Sequence, residues 1–194
     1  MKGRLACTGR QIATLQHPIA YGRRPCGSHI ARRLSPLLFE TNTRIEVQNP
    51  SLTTMNNPLD IEIETMNGEH TTLRALGDEG TEHWVVVNVA SACGFTRQYA
   101  GLQTLSQQDG VTVVGFPCNQ FGAQEPGTHQ EICDFTAEKF EVDFPLMAKI
   151  DVKGDASTPL FQALSTSSDA SGYTGDIRWN FAKFVINADG NVSR

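Results

Sequence analysis

One cysteine stands where a reactive thiol would be built. The stretch WVVVNVASACGFTRQY runs from Trp84 to Tyr99, nearly all apolar as far as Ala90, and then delivers Ser91-Ala92-Cys93-Gly94. A helical pattern opens a few residues later. A strand that carries a cysteine to the front of a helix places its sulfur near backbone N–H groups and the positive end of the helix dipole, both of which favour a thiolate. Cys93 is therefore the candidate nucleophile. Three further segments hold polar residues that packing does not require: Gly115–Gly127 (GFPCNQFGAQEPG), Phe144–Val152 (FPLMAKIDV) and Trp179–Phe184 (WNFAKF). Core packing alone would account for Cys93 as a small buried residue, Trp179 as a core aromatic, and Gln124 as a solvated loop residue.

The elements that must position these groups follow from periodicity. Ile61–Thr65 alternates apolar and polar, Asn67-Gly68 marks a two-residue type I′ turn, and His70–Leu73 returns as the second strand of a hairpin. Trp84–Ala90 has the continuous apolar character of a central strand covered on both faces. Thr96 is placed to cap a helix whose inward face carries Tyr99, Leu102 and Leu105. Val111–Phe116 is a second buried strand, so strand, helix and strand make a right-handed parallel βαβ unit. Thr128–Phe140 reads as a helix with Ile132, Phe135 and Phe140 inward. Phe144–Ile150 reads as extended, Pro159–Ser165 as a short helix and Trp179–Ile186 as a strand, followed by a turn at Asn187–Gly190. The chain stops four residues later, as an unpaired stub. Ligands bind at the carboxyl ends of parallel strands in such sheets, which is where Cys93 and the Gly115–Gly127 segment fall.

Composition narrows the function classes. Of 194 residues, the first 39 hold seven basic side chains and no acidic one; the rest holds nine basic and twenty-one acidic, a balance of −12. A body that acidic does not bind nucleic acid. No apolar run reaches the ~18–20 residues of a membrane span. The five cysteines, Cys7, Cys26, Cys93, Cys118 and Cys133, form no CxxC, and no Cys/His cluster has zinc spacing. This usage fits a reducing, cytoplasmic setting with one catalytic thiol. Residues 1–54 lack periodicity and leave three readings open: an Arg-rich transit peptide directing the chain to an organelle, a disordered extension, or a start that belongs at Met55. Residues 55–194 make the folded domain.

The motifs GFPCNQFGAQEPGT and WNFAKF, following ASACG at their spacing, resemble those of glutathione peroxidases over about Leu59 to the end. The resemblance implies a thioredoxin-like α/β fold, a central mixed sheet flanked by helices, lacking here the C-terminal strand and helix of the family. It implies a thiol-dependent peroxidase that reduces hydrogen peroxide or organic hydroperoxides through a cysteine sulfenic acid. The alternatives are a peroxide sensor that relays oxidation to a partner protein, and an inactive fragment. In the family the attacking residue matches Cys93, and its partners match Gln124, Trp179 and Asn180, whose neutral N–H donors steady the sulfur and the departing oxygen. No metal and no bound cofactor is implied; the co-substrate is a reducing thiol, thioredoxin or glutathione.

The chain departs from the family in places. Ala92 and Arg97 replace the usual Lys and Pro, and Arg97 would add positive charge near the sulfur. The second, resolving cysteine that the family places just after a phenylalanine is absent, because Thr136 follows Phe135. Cys133, about one helical turn earlier, is the candidate replacement. If Cys133 resolves, the reductant is thioredoxin; if nothing does, it is glutathione or another thiol.

Overall fold

The computed structural model describes residues 57–194. The basic segment 1–54 and the question of a start at Met55 lie outside the described residues. The elements are β1 (Glu62–Glu64), β2 (His70–Thr72), α1 (Leu73–Leu76), β3 (His83–Val89), α2 (Tyr99–Ser106), β4 (Val111–Pro117), α3 (His129–Phe140), α4 (Pro159–Leu164), β5 (Lys183–Asn187) and β6 (Val192–Ser193).

The main sheet has the order β4-β3-β5-β6. The β3–β4 pair is parallel, with Val85 opposite Val113, while β5 runs antiparallel to β3 and β6 to β5. It is a mixed sheet with helices packed on it, as expected. The unbroken apolar run of β3 has a geometric cause. Trp84 and Val86 enter one core with Val114, Phe116, Phe161 and Phe184. Val85, Val87 and Val89 point the other way, to Val113, Tyr99, Leu102, Ile132 and Phe144. Alternate residues of a strand face opposite sides, so both sets must be apolar. Burying each such side chain contributes ~1.5–3 kcal/mol.

Several expectations need correction. The hairpin exists, with Glu62 paired to Thr72 and Glu64 to His70, but its turn is not type I′. Thr65 N–H donates to Glu69 O at 2.8 Å and Gly68 N–H to Thr65 O at 3.0 Å, so three residues form the loop and Gly68 alone takes a positive φ, of 80°. The same Asn-Gly pair serves this three-residue form because only the glycine need be left-handed. The second strand ends at Thr72, whose hydroxyl accepts from Ala75 N–H and starts α1, so Leu73 is helical. The segment from Phe144 to Ile150 does run alongside β4, with Gly115 N–H donating to Pro145 O and Met147 N–H to Gly115 O, both at 2.9 Å. The stub after Gly190 is not unpaired: Ile186 faces Val192 and Val185 faces Ser193. Helix α3 starts as read, with Thr128 and Glu131 forming a reciprocal capping box. Of its expected inward residues Ile132 is buried, whereas Phe135 and Phe140 are half-buried and meet at 5.9 Å.

Candidate active site

Cys93 sits just past the carboxyl end of β3, in a loop tied by one threonine. Thr96 Oγ1 accepts from Cys93 N–H at 3.0 Å and donates to Ala90 O at 2.8 Å, while Thr96 N–H donates to Cys93 O at 3.0 Å. Thr96 was expected to cap a helix. It braces the cysteine loop instead, and the chain enters α2 through a 3₁₀ turn over Thr96–Gln98. This tighter entry leaves the Phe95 N–H free to turn back, and it donates to Cys93 Sγ at 3.4 Å. Cys93 keeps 9% of its surface, so its sulfur is sheltered yet reachable.

The loop after β4 is built against this one. Cys118 N–H donates to Val89 O at 3.1 Å, Ala92 N–H to Gln124 O at 3.0 Å, and Glu125 N–H to Asn119 Oδ1 at 2.8 Å. Gly122 (φ 66°) and Ala123 (φ 52°) turn the chain in left-handed conformation. Gln124 is thereby held one hydrogen bond from the residue preceding Cys93.

Trp179 and Asn180 come from the far end of the chain, and not from a strand as the sequence suggested. They lie in a turn before β5, with Phe181 at φ 65°. The cause is Asn88, a fully buried asparagine in the apolar strand β3. Its backbone O accepts from Phe181 N–H at 2.7 Å, its Oδ1 from Ala182 N–H at 2.9 Å, and its Nδ2 donates to Trp179 O at 3.2 Å. Asn88 thus binds a loop, as its setting suggested. Asn180, 4% exposed, donates from Nδ2 to Gln124 Oε1 at 3.0 Å. With Oε1 occupied, Gln124 presents its Nε2 amide hydrogens as the remaining donor end. Trp179 is 44% exposed, its ring 5.7 Å from Phe121, and its indole N–H has no hydrogen-bond partner among the described residues.

The structure thus joins the Cys93 loop, Gln124 and Asn180 by hydrogen bonds, with Trp179 beside them. Cys133 stands apart, buried on α3 with its Sγ 3.1 Å from Met66 Sδ. Its neighbour Ile132 packs in the same core as Cys93, so α3 and the cysteine share one face of the sheet. Thr136, at the family's resolving position, is buried and donates to Ile132 O and Cys133 O. Cys118 is buried, and burial pushes its thiol up. Arg97 is exposed.

Four contributors escaped sequence reading: the Phe95 amide, the Thr96 brace, Ser91 and Glu125. Glu125 is wholly buried and accepts from Ser91 Oγ at 3.2 Å. A glutamate in a Gly/Pro-rich loop reads as solvated, and no periodicity marks the exception.

Residues 59–165 match the family model of glutathione peroxidase. The chain belongs to the glutathione peroxidase family. It is 44% identical over 138 residues to a Synechocystis protein named hydroperoxy fatty acid reductase Gpx2, covering 70% of this chain and 84% of that one. It is 48% identical over 111 residues to the glutathione peroxidase-like peroxiredoxin gpx1 of Schizosaccharomyces pombe, covering 56% and 70%. Among solved structures it resembles T. cruzi GPX1, with TM-score 0.54 and 29% identity over 71% of this chain and 84% of that one. The glutathione peroxidase relatives support the thioredoxin-like α/β fold and thiol-dependent peroxide reduction. Among the described residues no helix is long and apolar enough to cross a membrane.

Proposed function

We propose that Cys93 is the attacking residue of this peroxidase and that Gln124, Asn180 and Trp179 serve its transition state. The observation that carries this is the chain of bonds from the Cys93 loop through Gln124 to Asn180. The Cys93 sulfur attacks one peroxide oxygen; an S–O bond forms, the O–O bond breaks, and the departing alkoxide or hydroxide takes a proton. Cys93 is left as a sulfenic acid. Neutral donors placed where the leaving oxygen gathers charge contribute about 3–4 kcal/mol each where such groups have been deleted. The free Nε2 end of Gln124 and the unpartnered indole N–H of Trp179 are suited to that task, and Asn180 orients the first.

Phe95, whose backbone N–H meets the Cys93 sulfur, is 45% exposed, and Trp179, next to Asn180, is 44% exposed, so both present aromatic surface. Large exposed apolar groups at a site favour apolar ligands, which supports organic hydroperoxides, hydroperoxy fatty acids included, over hydrogen peroxide. For the return step, once the disulfide that holds Cys133 in this structure is reduced, its thiol attacks the sulfenic acid, releasing water and leaving a Cys93–Cys133 disulfide that thioredoxin reduces; its place on α3, on the same face as Cys93, supports this. Glutathione is the reductant if Cys133 takes no part. The reaction needs a reducing compartment, which we take to be the cytoplasm, or an organelle if residues 1–54 are a transit peptide.

Fully reduced protein given one equivalent of hydroperoxide and mapped by peptide mass tests these points. A Cys93–Cys133 crosslink supports the two-cysteine cycle, and oxygen on Cys93 alone supports an external thiol. Unchanged peroxide consumption by Cys93→Ser would refute the assignment of Cys93.

A further inference from the structure

Glu125 is the buried ionisable group that the mechanism leaves unused. Its side chain is fully buried, with Oε2 accepting from Ser91 Oγ at 3.2 Å and Oε1 lacking a partner among the described residues. Its backbone is fixed separately, through Asn119. A buried carboxyl with half its bonding capacity unused is costly, and an apolar residue of like volume would fill the space at no such cost. Beyond the Cys118–Val89 bond where the two strands end, what the carboxyl adds is a second tie between the two loops further out. Ala92 N–H to Gln124 O is the first, and Ser91 Oγ to Glu125 Oε2 is the second. The two bonds join consecutive residues on each side, Ser91-Ala92 with Gln124-Glu125. One hydrogen bond leaves two loops free to pivot about it, whereas two at adjacent residues set both distance and angle. Cys93 follows directly on one side of this double tie, and the Gln124 amide extends from the other.

We propose that Glu125, acting through Ser91, is a positioning residue that sets the Cys93 sulfur against the Gln124 amide. This rests on the reading of Cys93 as nucleophile and Gln124 as donor. Burial, the dominant influence on the Glu125 carboxyl, raises its pKa, while the Ser91 bond and the Lys149 charge oppose this. The more protonated it is, the less negative charge the tie places near a thiolate.

The test compares Glu125→Gln, which keeps a carbonyl oxygen to accept from Ser91, with Glu125→Met, which fills the space without an acceptor. Ser91→Ala removes the bond from the other side and leaves the Glu125 site filled. Two rates are read for Cys93 in each reduced protein: oxidation by cumene hydroperoxide, which needs Gln124 in place, and alkylation by iodoacetamide, which needs only a reachable sulfur. The Gln variant should stay within about twofold of the parent in both. The Met and Ala variants should lose roughly 10- to 100-fold in peroxide oxidation, the scale expected of a misplacement of about 1 Å, with alkylation nearly unchanged. Equal peroxide rates for the Gln and Met variants, or an unchanged rate in Ser91→Ala, would overturn the proposal, as would parallel losses in both reactions. If the parent protein itself shows no peroxide oxidation at Cys93, the reading of the nucleophile has failed rather than the role of Glu125.

Discussion

Replacing Asn88 with alanine should unfasten the Trp179–Ala182 turn and weaken the whole domain. The side chain makes two hydrogen bonds, from Nδ2 to Trp179 O at 3.2 Å and from Ala182 N–H to Oδ1 at 2.9 Å. Leaving a buried donor or acceptor unpaired costs about 1–3 kcal/mol. Ala182 is half-buried and takes the middle of that range; Trp179 is exposed and its carbonyl can find water, so it takes the bottom. Together they come to about 3 kcal/mol, a large share of a total stability of ~5–15 kcal/mol. For a domain of this size that is a fall in Tm of roughly 6–12 °C. The Phe181 N–H bond to the Asn88 backbone O survives the substitution, so the chain should still fold at 20 °C. Thermal unfolding followed by circular dichroism reads the stability, and stopped-flow oxidation of Cys93 on the folded variant reads the site. Peroxide oxidation should drop about tenfold or more, because Asn180 and the amide of Gln124 it holds lose their anchor. A Tm lowered by less than about 2 °C, or a variant that melts early yet oxidises at the parent rate, would refute the coupling of this turn to the site.

Thr96→Val keeps the shape but removes the acceptor for Cys93 N–H and the donor to Ala90 O; it should destabilise by about 2 kcal/mol and speed alkylation of Cys93, as urea unfolding and iodoacetamide kinetics would show. Gly122→Ala forces a side chain onto a φ of 66°, which costs about 1–3 kcal/mol; an unchanged urea midpoint would mean the loop relaxes without strain. Glu125 gives a pH signature. Its carboxyl is raised above the ordinary 4.5 chiefly by burial, so the folded state holds this proton more tightly than the unfolded chain. Stability contributed by the protonated form is full below 4.5 and is lost as pH rises through the folded value. The difference in unfolding free energy between the parent and Glu125→Gln should therefore shift in favour of the Gln variant over that window, and parallel curves from pH 4 to 8 would count against it.

The alternation and length of apolar runs made the sheet legible, since β3 and β4 must be apolar on both faces to be covered on both. The position of Cys93, just past the carboxyl end of β3, was legible for the same reason. Local geometry was less so. Asn67-Gly68 suits two turn types, and only the pairing of Thr65 with Glu69 decides between them. Trp179-Asn180-Phe181-Ala182 has strand composition, yet a partner ninety residues upstream in sequence, Asn88, bends it into a turn. Thr96 has the chemistry of a cap and spends it on the cysteine loop. Glu125 was invisible because burial of a loop residue depends on what folds over it. In each case local sequence left two or more outcomes open; a distant residue made the choice for Trp179–Ala182 and for Glu125, and a near one for the hairpin and for Thr96.

The pairing of β3 with both β4 and β5 also bears on how the chain comes to be reactive during its synthesis. Val86 meets Val114 early, but its other neighbour, Phe184, lies far later in the sequence and emerges from the ribosome long afterwards. Contacts so distant along the chain form late, because a long loop must close before they repay it. A growing chain thus carries the thiol of Cys93 for some time before Trp179 and Asn180, the residues proposed to serve it, have been made. In that interval the sulfur is an ordinary cysteine, open to stray oxidation that can run on to irreversible sulfinic and sulfonic acids. The Asn180–Gln124 bond and the pairing of β3 with β5 thus form only after β5 has been made.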